Sequence, residues 1–550
     1  MLGLVDGRYA LLPLAAACGL YTLYRKYSKI SISDVPGPES KTFLLGHSKE
    51  LLLADCGTTE AEFRRRYGDV VRVKAALGED ILWIADHKAI KHILHKSGYD
   101  YPKPPGDKPL RAMVTDEGLA WADGEMHRRY KKILLPAFGI PEAKEFLPVF
   151  THVITRLADR WANELTDKGS TGIINVADGL MRVTLDAIGF GTWSLYTKHR
   201  PAFDHDFGAV IDSDDPLMKS YTHLMTVFAA PSPGRLIFRG ISRFVPPSWL
   251  SFLYEHASSP DIQRLRENRQ QVHTFAGGLI EFKRKALEQG EGQKDIMSLL
   301  LKANASANED AKLRDDEIVP QMRTIMFAAH ETTAITIAWG LYELAKHPQV
   351  QARLREEIIE TRKKIKARGD TEFTTNDFDA MPYTIAVMKE TLRLHPVVAD
   401  IPRFSGKDDV LPLANPITTR SGKVIHELPI PKGLRLTLSF YAYQTNEDLW
   451  GKDALVYDPD RWLEERDKSG ALIGVYANLL SFSAGVKNCI GWRFALVQIQ
   501  ASLIHLISTF NFALPDEPQE VRMFRTVTVV PKVSGRENEG IQLPLKVSLL

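Results

Sequence analysis

Cysteine is the residue type in this sequence best suited to unusual chemistry. There are only three in 550 residues, at positions 18, 56 and 489, which is too few for a disulfide framework and favours a reducing compartment. Gly485 and Gly491 flank Cys489, and an apolar helical pattern follows directly. A helix N-terminus stabilises a thiolate, and glycines let the backbone approach a flat ligand closely. Cys489 is therefore a candidate axial iron ligand, and the alternative is a buried structural cysteine.

A second candidate site lies in a long helical stretch, residues 318–346. Ala328 and Thr332 are four residues apart and share a helix face, and the Thr332 hydroxyl can bond back to the carbonyl of residue 328. Glu331 adds a carboxyl that can move protons. His330 and Glu331 resemble the start of a zinc-protease motif, but residue 334 is alanine where the second histidine would stand, so that function is excluded. Ordinary helix packing is the alternative for the two adjacent threonines.

A third feature is the pair Glu390 and Arg393, in a predicted helix over residues 381–394. Three residues apart, the two side chains share one face of that helix. Without further context such a pair is a surface ion pair worth about 0.5 kcal/mol.

The rest of the chain must position these residues, and its patterns predict a mainly helical fold. Hydrophobic residues make up 44% and charged residues 25% of the sequence, as in a globular protein, and the net charge of +2 does not suggest a nucleic-acid partner. No linker or repeat divides the chain after the first forty residues. Further helices are predicted over residues 147–165, 270–287, 350–365 and 492–510. Strands are predicted over residues 70–73, 81–84, 434–439 and 525–531. The predicted class is mainly α with small β-sheets (α+β).

The N-terminus resembles a membrane anchor. Residues 9–24 carry no charge, and Arg25, Lys26 and Lys29 follow at once. Because the positive charges come after the apolar run, an uncleaved signal-anchor is favoured over a cleaved signal peptide, and the body is expected in the cytoplasm. We predict an anchor over residues 1–30, a proline-rich hinge over 31–40 and one catalytic domain over 41–550.

The cysteine segment resembles the haem-binding loop of the cytochrome P-450 family. Phe482, Gly485, Cys489 and Gly491 match that loop, and Lys487 stands where arginine is usual. The resemblance implies the cytochrome P-450 fold and heme b (iron protoporphyrin IX) with the Cys489 thiolate as axial ligand. It also assigns these five residues, together with Ala328, to cofactor binding.

Two further segments resemble motifs of the same family. Residues 328–332 resemble its oxygen-activation motif, with Ala329 in place of glycine, which implies that Thr332 orients oxygen and its water and that Glu331 relays protons. Residues 390–393 resemble its Glu-x-x-Arg signature, and residues 459–462 its Pro-x-Arg-Phe box with tryptophan at the last position. The resemblance implies that Glu390, Arg393 and Arg461 form a buried structural charge network.

Several basic residues fall at positions that contact the haem carboxylates in this family. His127 and Lys131 occupy its Trp-x-x-x-Arg positions, and Arg403 matches another such position. Both departures, histidine and lysine, can still donate to a carboxylate. The neighbouring Arg128, Arg129 and Lys132 could form a docking face for an acidic reductase, and the alternative for each basic residue is a solvated charge.

The resemblance implies a monooxygenase that inserts one oxygen atom from O2 into a lipophilic small molecule. A terpenoid, steroid or fatty-acid-like substrate of secondary metabolism is expected, with electrons from NADPH through NADPH–cytochrome P-450 reductase. The expected location is the endoplasmic reticulum membrane, single-pass, with the catalytic domain facing the cytoplasm. Residues 232–249 mix arginines with large apolar residues, so they either dip into the membrane interface or form a lid. A haem-thiolate isomerase or dehydratase that needs neither O2 nor reductase is the main alternative, and a haem sensor is another. The Glu331–Thr332 pair favours the monooxygenase.

Overall fold

A computed structural model describes residues 30–40, 42–193, 208–210, 221, 233–289, 296–306, 312–464, 473–517 and 519–550. The predicted anchor therefore lies outside the described residues except for residue 30. None of the described helices has both the length and the continuous apolar character that crossing a bilayer requires.

Helices dominate the described chain, and the strands between them are short. The helices, numbered in chain order, are α1 Ser48–Leu53, α2 Thr58–Tyr67, α3 His87–Lys91, α4 Lys108–Thr115, α5 Gly124–Leu134, α6 Ile140–Glu145, α7 Leu147–Asp167, α8 Val176–Trp193, α9 Pro233–Ser242, α10 Pro247–His256, α11 Pro260–Glu288, α12 Ile296–Ser306, α13 Asp315–Lys346, α14 Pro348–Ala367, α15 Thr375–Asp379, α16 Pro382–Leu394, α17 Phe440–Gln444, α18 Glu447–Trp450 and α19 Trp492–Thr509. The strands are β1 Val70–Lys74, β2 Asp80–Ile84, β3 Thr171–Asn175, β4 Asp400–Phe404, β5 Asp409–Thr418, β6 Val424–Ile430, β7 Arg435–Ser439, β8 Phe510–Ala513, β9 Val521–Arg525, β10 Val529–Val533 and β11 Pro544–Leu549. The prediction of a mainly helical fold with small sheets is confirmed.

The core is built around α13, a helix of 32 residues. Its C-terminal half is buried on nearly every side, as expected of a helix enclosed by others. Helix α7 is amphipathic by contrast, and Val149, Val153 and Leu157 recur at four-residue spacing on its buried face. Side chains of α7, α8, α13, α16 and α19 pack into one apolar cluster. This cluster fixes α13 and the start of α19 relative to each other.

Four small sheets complete the fold. The largest has the order β1-β2-β7-β4, in which β2 and β7 run parallel and the other pairs antiparallel. The others are β3-β11-β8, β5-β6 and β9-β10. The predicted strand over 525–531 is wrong, because β9 ends at Arg525, β10 begins at Val529, and the three residues between them form a turn. β-Branched residues favour strands in general, but here Thr526 and Thr528 close the turn with their own hydrogen bonds.

Candidate active site

The loop before α19 holds the Cys489 sulfur at the start of that helix. The Cys489 N–H donates to the carbonyl of Phe482 at 2.9 Å, and the backbone N–H of Gly491, two residues further on, favours the charged form of the sulfur. The thiol is exposed to solvent, yet burial raises its pKa, while the Gly491 N–H and the Lys131 charge lower it. A thiol that is both accessible and surrounded by protein faces an internal space. This arrangement leaves the sulfur open to a ligand and gives a thiolate two stabilising partners.

The two glycines of this loop have different roles. Gly485 has φ +64°, and a Cβ built on it would lie 1.8 Å from the carbonyl oxygen of Leu94. Only glycine fits this left-handed conformation and close approach. At Gly491 a Cβ would lie no closer than 3.9 Å, from the ring of Phe138. Gly485 therefore shapes the loop itself, while the structure leaves room beside Gly491.

Helix α13 also borders an internal space, at Ala328 and Thr332. Ala328 is exposed although most of the helix around it is buried. Thr332 Oγ1 donates to the Ala328 carbonyl oxygen at 2.8 Å. The small side chain and the hydroxyl thus lie on one face of α13, at the point where the helix packing opens.

Glu331 is buried beside this opening and is held from outside its own helix. Its Oε1 accepts a hydrogen bond from Thr528 Oγ1, in the turn between β9 and β10. Its Oε2 is buried and has no hydrogen-bond partner among the described residues. Burial raises the pKa of Glu331 to about 7, against the lowering effect of the Thr528 hydrogen bond. A carboxyl with such a pKa can both give and take a proton near neutral pH.

A cluster of buried cations lies near Cys489, and sequence analysis found only part of it. Arg403 is buried, and burial together with the nearby Arg111 lowers its pKa to about 10. Arg111 has a buried Nε without a hydrogen-bond partner among the described residues. Lys487 pairs with Asp123 at 2.6 Å, and burial lowers the pKa of Lys103 well below its usual value. Several basic groups thus share Asp123 and Asp107, of which Asp107 already pairs with Arg435, and the region has room for further negative charge.

The other two predicted carboxylate donors have partners within the protein. Lys131 Nζ donates to the Val486 carbonyl at 2.9 Å and to Asn488 Oδ1 at 2.5 Å, so it fastens the cysteine loop. His127 Nδ1 shares a hydrogen bond with the Tyr99 hydroxyl at 3.1 Å. Burial and nearby lysines lower the pKa of His127 to about 3, so its ring is neutral at pH 7.

The predicted docking face is smaller than expected, because Arg129 points inward. Arg129 Nη2 donates to the buried Glu317 on α13, and its Nη1 donates to the carbonyl of Lys312. Arg128 stays on the surface and pairs with Glu125 at 2.7 Å.

Glu390, Arg393 and Arg461 form one buried cluster. Arg393 donates to both carboxylate oxygens of Glu390, at 2.8 and 2.9 Å, and Arg461 Nε donates at 2.9 Å. Trp462 Nε1 and the Asp458 N–H supply two more hydrogen bonds to the same carboxylate. The other N–H groups of Arg393 and Arg461 donate mainly to backbone carbonyls. Every charge in the cluster is thus paired, as burial of charged groups requires.

A cysteine open to an internal space, an acid-bearing helix at a second opening and a surplus of buried cations are the features that a haem-thiolate protein needs. The family model described as Cytochrome P-450 matches residues 36–536. The chain therefore belongs to the cytochrome P-450 family. It is an oxidoreductase of the monooxygenase type, which incorporates oxygen from O2 and works with a redox partner.

Its relatives are fungal proteins of this family. Cytochrome P-450 monooxygenase 81 of Postia placenta is 30% identical over 551 residues, which cover 97% of this chain and 96% of the relative. Ganoderic acid synthetase of Ganoderma lucidum is 30% identical and covers 99% of both chains. Cytochrome P-450 monooxygenase claQ of Ampulloclitocybe clavipes is 29% identical, over 93% of this chain and 92% of the relative.

The family implies haem with cysteine thiolate ligation, and the residues present fit such a group. The Cys489 sulfur is accessible inside the protein. Because residue 491 is glycine, no side chain occupies the space beside the backbone there. Haem carries two carboxylates, and the cluster of Arg111, Arg403 and Lys487 has positive charge in excess of Asp123, because the nearby Asp107 is already paired with Arg435.

Proposed function

We propose that this chain is a haem-thiolate monooxygenase in which Cys489 is the axial ligand of heme b. The observation that carries the proposal is the Cys489 sulfur, open to an internal space at the N-terminus of α19. The Gly491 N–H and the Lys131 charge favour its thiolate form. When bound, the haem supplies the oxygen-activating chemistry. The protein's own residues position the group, exclude bulk water and supply protons.

Two parts of the site support cofactor binding away from the sulfur. Arg403, Arg111 and Lys487 would hold the haem carboxylates, since their charges exceed that of Asp123 and the nearby Asp107 is already paired with Arg435. His127 would contribute as a neutral donor, and Lys131 would act mainly by fixing the loop. Phe482 and Gly485 would shape the loop, while Gly491 and Ala328 would leave space for the flat group.

Glu331 and Thr332 would supply protons beside the oxygen site. Thr332 would orient oxygen and its water with a hydroxyl on the Ala328 face of α13. Glu331 would give a proton from its carboxyl and regain one from solvent, for which a pKa of about 7 is suitable. An isomerase or dehydratase needs no such proton supply, so this pair favours the monooxygenase over that alternative.

The expected substrate is a lipophilic small molecule, terpenoid, steroid or fatty-acid-like, and the expected electron donor is NADPH–cytochrome P-450 reductase. One relative is named for ganoderic acid synthesis, which supports a role in secondary metabolism. Exposed apolar side chains on α9, α10 and the turn between them, Ile241, Phe244, Trp249, Phe252 and Leu253, support contact with a membrane. We place the protein at the endoplasmic reticulum membrane with its catalytic domain in the cytoplasm.

The test is co-expression of the full chain with a fungal reductase in yeast, followed by metabolite comparison against Cys489→Ala under ¹⁸O2. We expect a lipophilic product that carries one ¹⁸O atom in the wild type and is absent in the variant. A product without ¹⁸O that forms without reductase would instead establish the isomerase or dehydratase.

A further inference from the structure

The Glu331 carboxyl depends on a hydroxyl that comes from a distant part of the chain. Thr528 Oγ1 donates to its Oε1, and Oε2 is buried without a partner among the described residues. The neighbouring Thr332 hydroxyl is bonded to the Ala328 carbonyl at 2.8 Å. In the described part of the chain, Thr528 is thus the side chain that fixes the orientation of this acid.

Thr528 is held in place by the turn between β9 and β10. The Thr526 N–H donates to the Thr528 carbonyl at 2.8 Å, and Thr526 Oγ1 donates to the same oxygen at 2.9 Å. The Thr528 N–H donates to Thr526 Oγ1 at 3.2 Å. These three hydrogen bonds leave the Thr528 side chain little freedom beyond rotation about its own bond.

The hairpin of β9 and β10 is in turn fastened along one stripe of α13. Glu331, Ile335 and Trp339 follow one another at four-residue spacing and lie on this stripe. Ile335 and Trp339 are packed with Phe524 and Val530 of the hairpin. Trp339 Nε1 also donates to the carbonyl of residue 529 at 3.3 Å. The hairpin therefore covers this stripe and reaches Glu331 through its turn.

We propose that Thr528 is a positioning residue, which holds Oε1 of Glu331 so that Oε2 is the oxygen that gives and takes protons. The inference rests on the proposed function, in which Glu331 supplies protons beside Ala328 and Thr332. Each proton that leaves Oε2 is replaced by one from water. The step therefore needs no oxidant or reductant of its own.

The electrostatic surroundings of Glu331 make this hydrogen bond measurable. Burial raises the pKa of Glu331 and the Thr528 hydrogen bond lowers it, and no charged side chain of the described residues shifts it. On α13, burial lowers the pKa of His330 to about 4, so its ring is neutral at pH 7. On the hairpin, Arg525 is paired with Asp400 and Glu60. Loss of the Thr528 hydroxyl removes an interaction that favours the carboxylate, so the pKa of Glu331 rises.

The first experiment titrates Glu331 directly in the full chain loaded with haem. The carbonyl stretch of its protonated carboxyl is followed by infrared difference spectroscopy across pH and assigned by its absence in Glu331→Gln. We expect a midpoint near 7 in the wild type, as burial dictates. Thr528→Val should raise it by about one pH unit, while Thr528→Ser should restore it. Val527→Ala, in the same turn and 47% exposed, is the matched control and should leave it unchanged.

Both Thr528→Val and Thr528→Ala must show the haem absorbance and thermal unfolding of the wild type. If the infrared midpoint of Glu331 is then unchanged in both variants, the inference is overturned. The second variant guards against a folding defect that is specific to valine.

The second experiment separates this inference from the proposed function. With reductase, NADPH and a substrate found by the co-expression test, we measure for the same variants the pH above which the product formed per NADPH consumed falls. If Thr528→Val raises the infrared midpoint and its activity falls at a higher pH than that of the wild type, the positioning role of Thr528 and the proposed function are both supported. If Thr528→Val raises the infrared midpoint but the pH profile of activity is the same in all variants, Glu331→Gln included, Thr528 still positions Glu331. That result contradicts proton supply by Glu331.

Discussion

At Gly485 the backbone passes too close to the Leu94 carbonyl for any side chain. The φ of +64° and the 1.8 Å separation of an added Cβ both require glycine. Gly485→Ala adds strain of about 1–3 kcal/mol and must also move the loop. We expect a several-fold loss of bound haem per protein, measured by absorbance, and a lower unfolding temperature.

Gly277→Ala is the control for this prediction. Gly277 is exposed on α11, and a Cβ built on it would meet no described atom within 4 Å, so haem content should stay close to the wild type and the unfolding temperature should not fall. An equal loss in both variants would contradict a special requirement for glycine at position 485.

Glu331 gives a prediction about pH. The acid donates protons in its neutral form, and its pKa is raised to about 7, so coupled turnover should fall as pH rises through that value. Glu331→Gln removes the proton, and we expect product formation to fall about 100-fold at pH 7. The measurement is product formed per NADPH consumed, across pH.

Glu360→Gln, an exposed carboxyl on α14, is the matched control and should change nothing. Undiminished turnover in Glu331→Gln would rule out Glu331 as the proton donor.

Among individual residues, the sequence analysis predicted those candidate site residues that lie close together in the chain. The cysteine loop and residues 328–332 are short segments, and their resemblance to motifs of the family marked them as candidate sites. Thr528 could not be found this way, because 197 residues separate it from Glu331 and its turn has no distinctive pattern. Arg111 and Lys103 were missed for the same reason, since only the fold brings them to Asp123.

At the scale of elements, the cluster of Glu390, Arg393 and Arg461 fastens α16 to the segment before the cysteine loop. Glu390→Ala leaves the buried Arg393 without a carboxylate, and it leaves Arg461 with only the partly exposed carboxylate of Asp453, at 3.1 Å. Removal of one partner from such a buried network costs about 3–5 kcal/mol. We expect a correspondingly lower free energy of unfolding by urea, with loss of haem at lower urea concentrations.

The nearby pair Arg353 and Asp460 is the control for this prediction. Both side chains are about half exposed, at 49% and 46%, although their nitrogen and oxygen lie 2.7 Å apart. Arg353→Ala should change the free energy of unfolding by less than about 1 kcal/mol. A similarly small change in Glu390→Ala would contradict a structural role for the network.

Helices were predicted better than strands, for physical reasons. Helix α7 has one apolar face and so carries a clear period, while α16 was predicted from Pro382 in its first turn and Pro396 just after its end. Strands β5 and β6 were missed because many of their residues are exposed and β5 contains Pro412 and Pro416. Proline is tolerated at the edge of such a hairpin but weakens the strand signal in the sequence.

At the scale of the whole molecule, α9 and α10 carry a group of exposed apolar side chains. Trp249 is 65% exposed and Phe252 56%, and Phe244 lies in the turn between the two helices. A membrane would cover such a group favourably. In the full chain bound to vesicles, we expect brominated lipids to quench Trp249, so Trp249→Phe should remove most of the quenched fluorescence.

Trp450→Phe provides the comparison, because Trp450 is partly buried and donates to the Tyr443 carbonyl at 3.0 Å. Quenching that is equal in both variants would place α10 away from the lipid.

The mainly helical class was predictable from composition and period, and the order of the motifs indicated the family. The packing between α13, α19 and the sheets, which sets where these motifs lie in space, was not predictable, because it depends on contacts between residues far apart in the chain. The predicted docking face illustrates the limit: Arg129 is as basic as its neighbours in the sequence, yet it points inward to Glu317.

The central claim is that iron binds the sulfur of Cys489, and the reduced carbon-monoxide difference spectrum of the purified full chain tests it most directly. We predict the absorption band of a thiolate-ligated haem in the wild type and its complete loss in Cys489→Ala. A band of the nitrogen-ligated type in the wild type, or a thiolate-type band that survives in Cys489→Ala, would contradict the account.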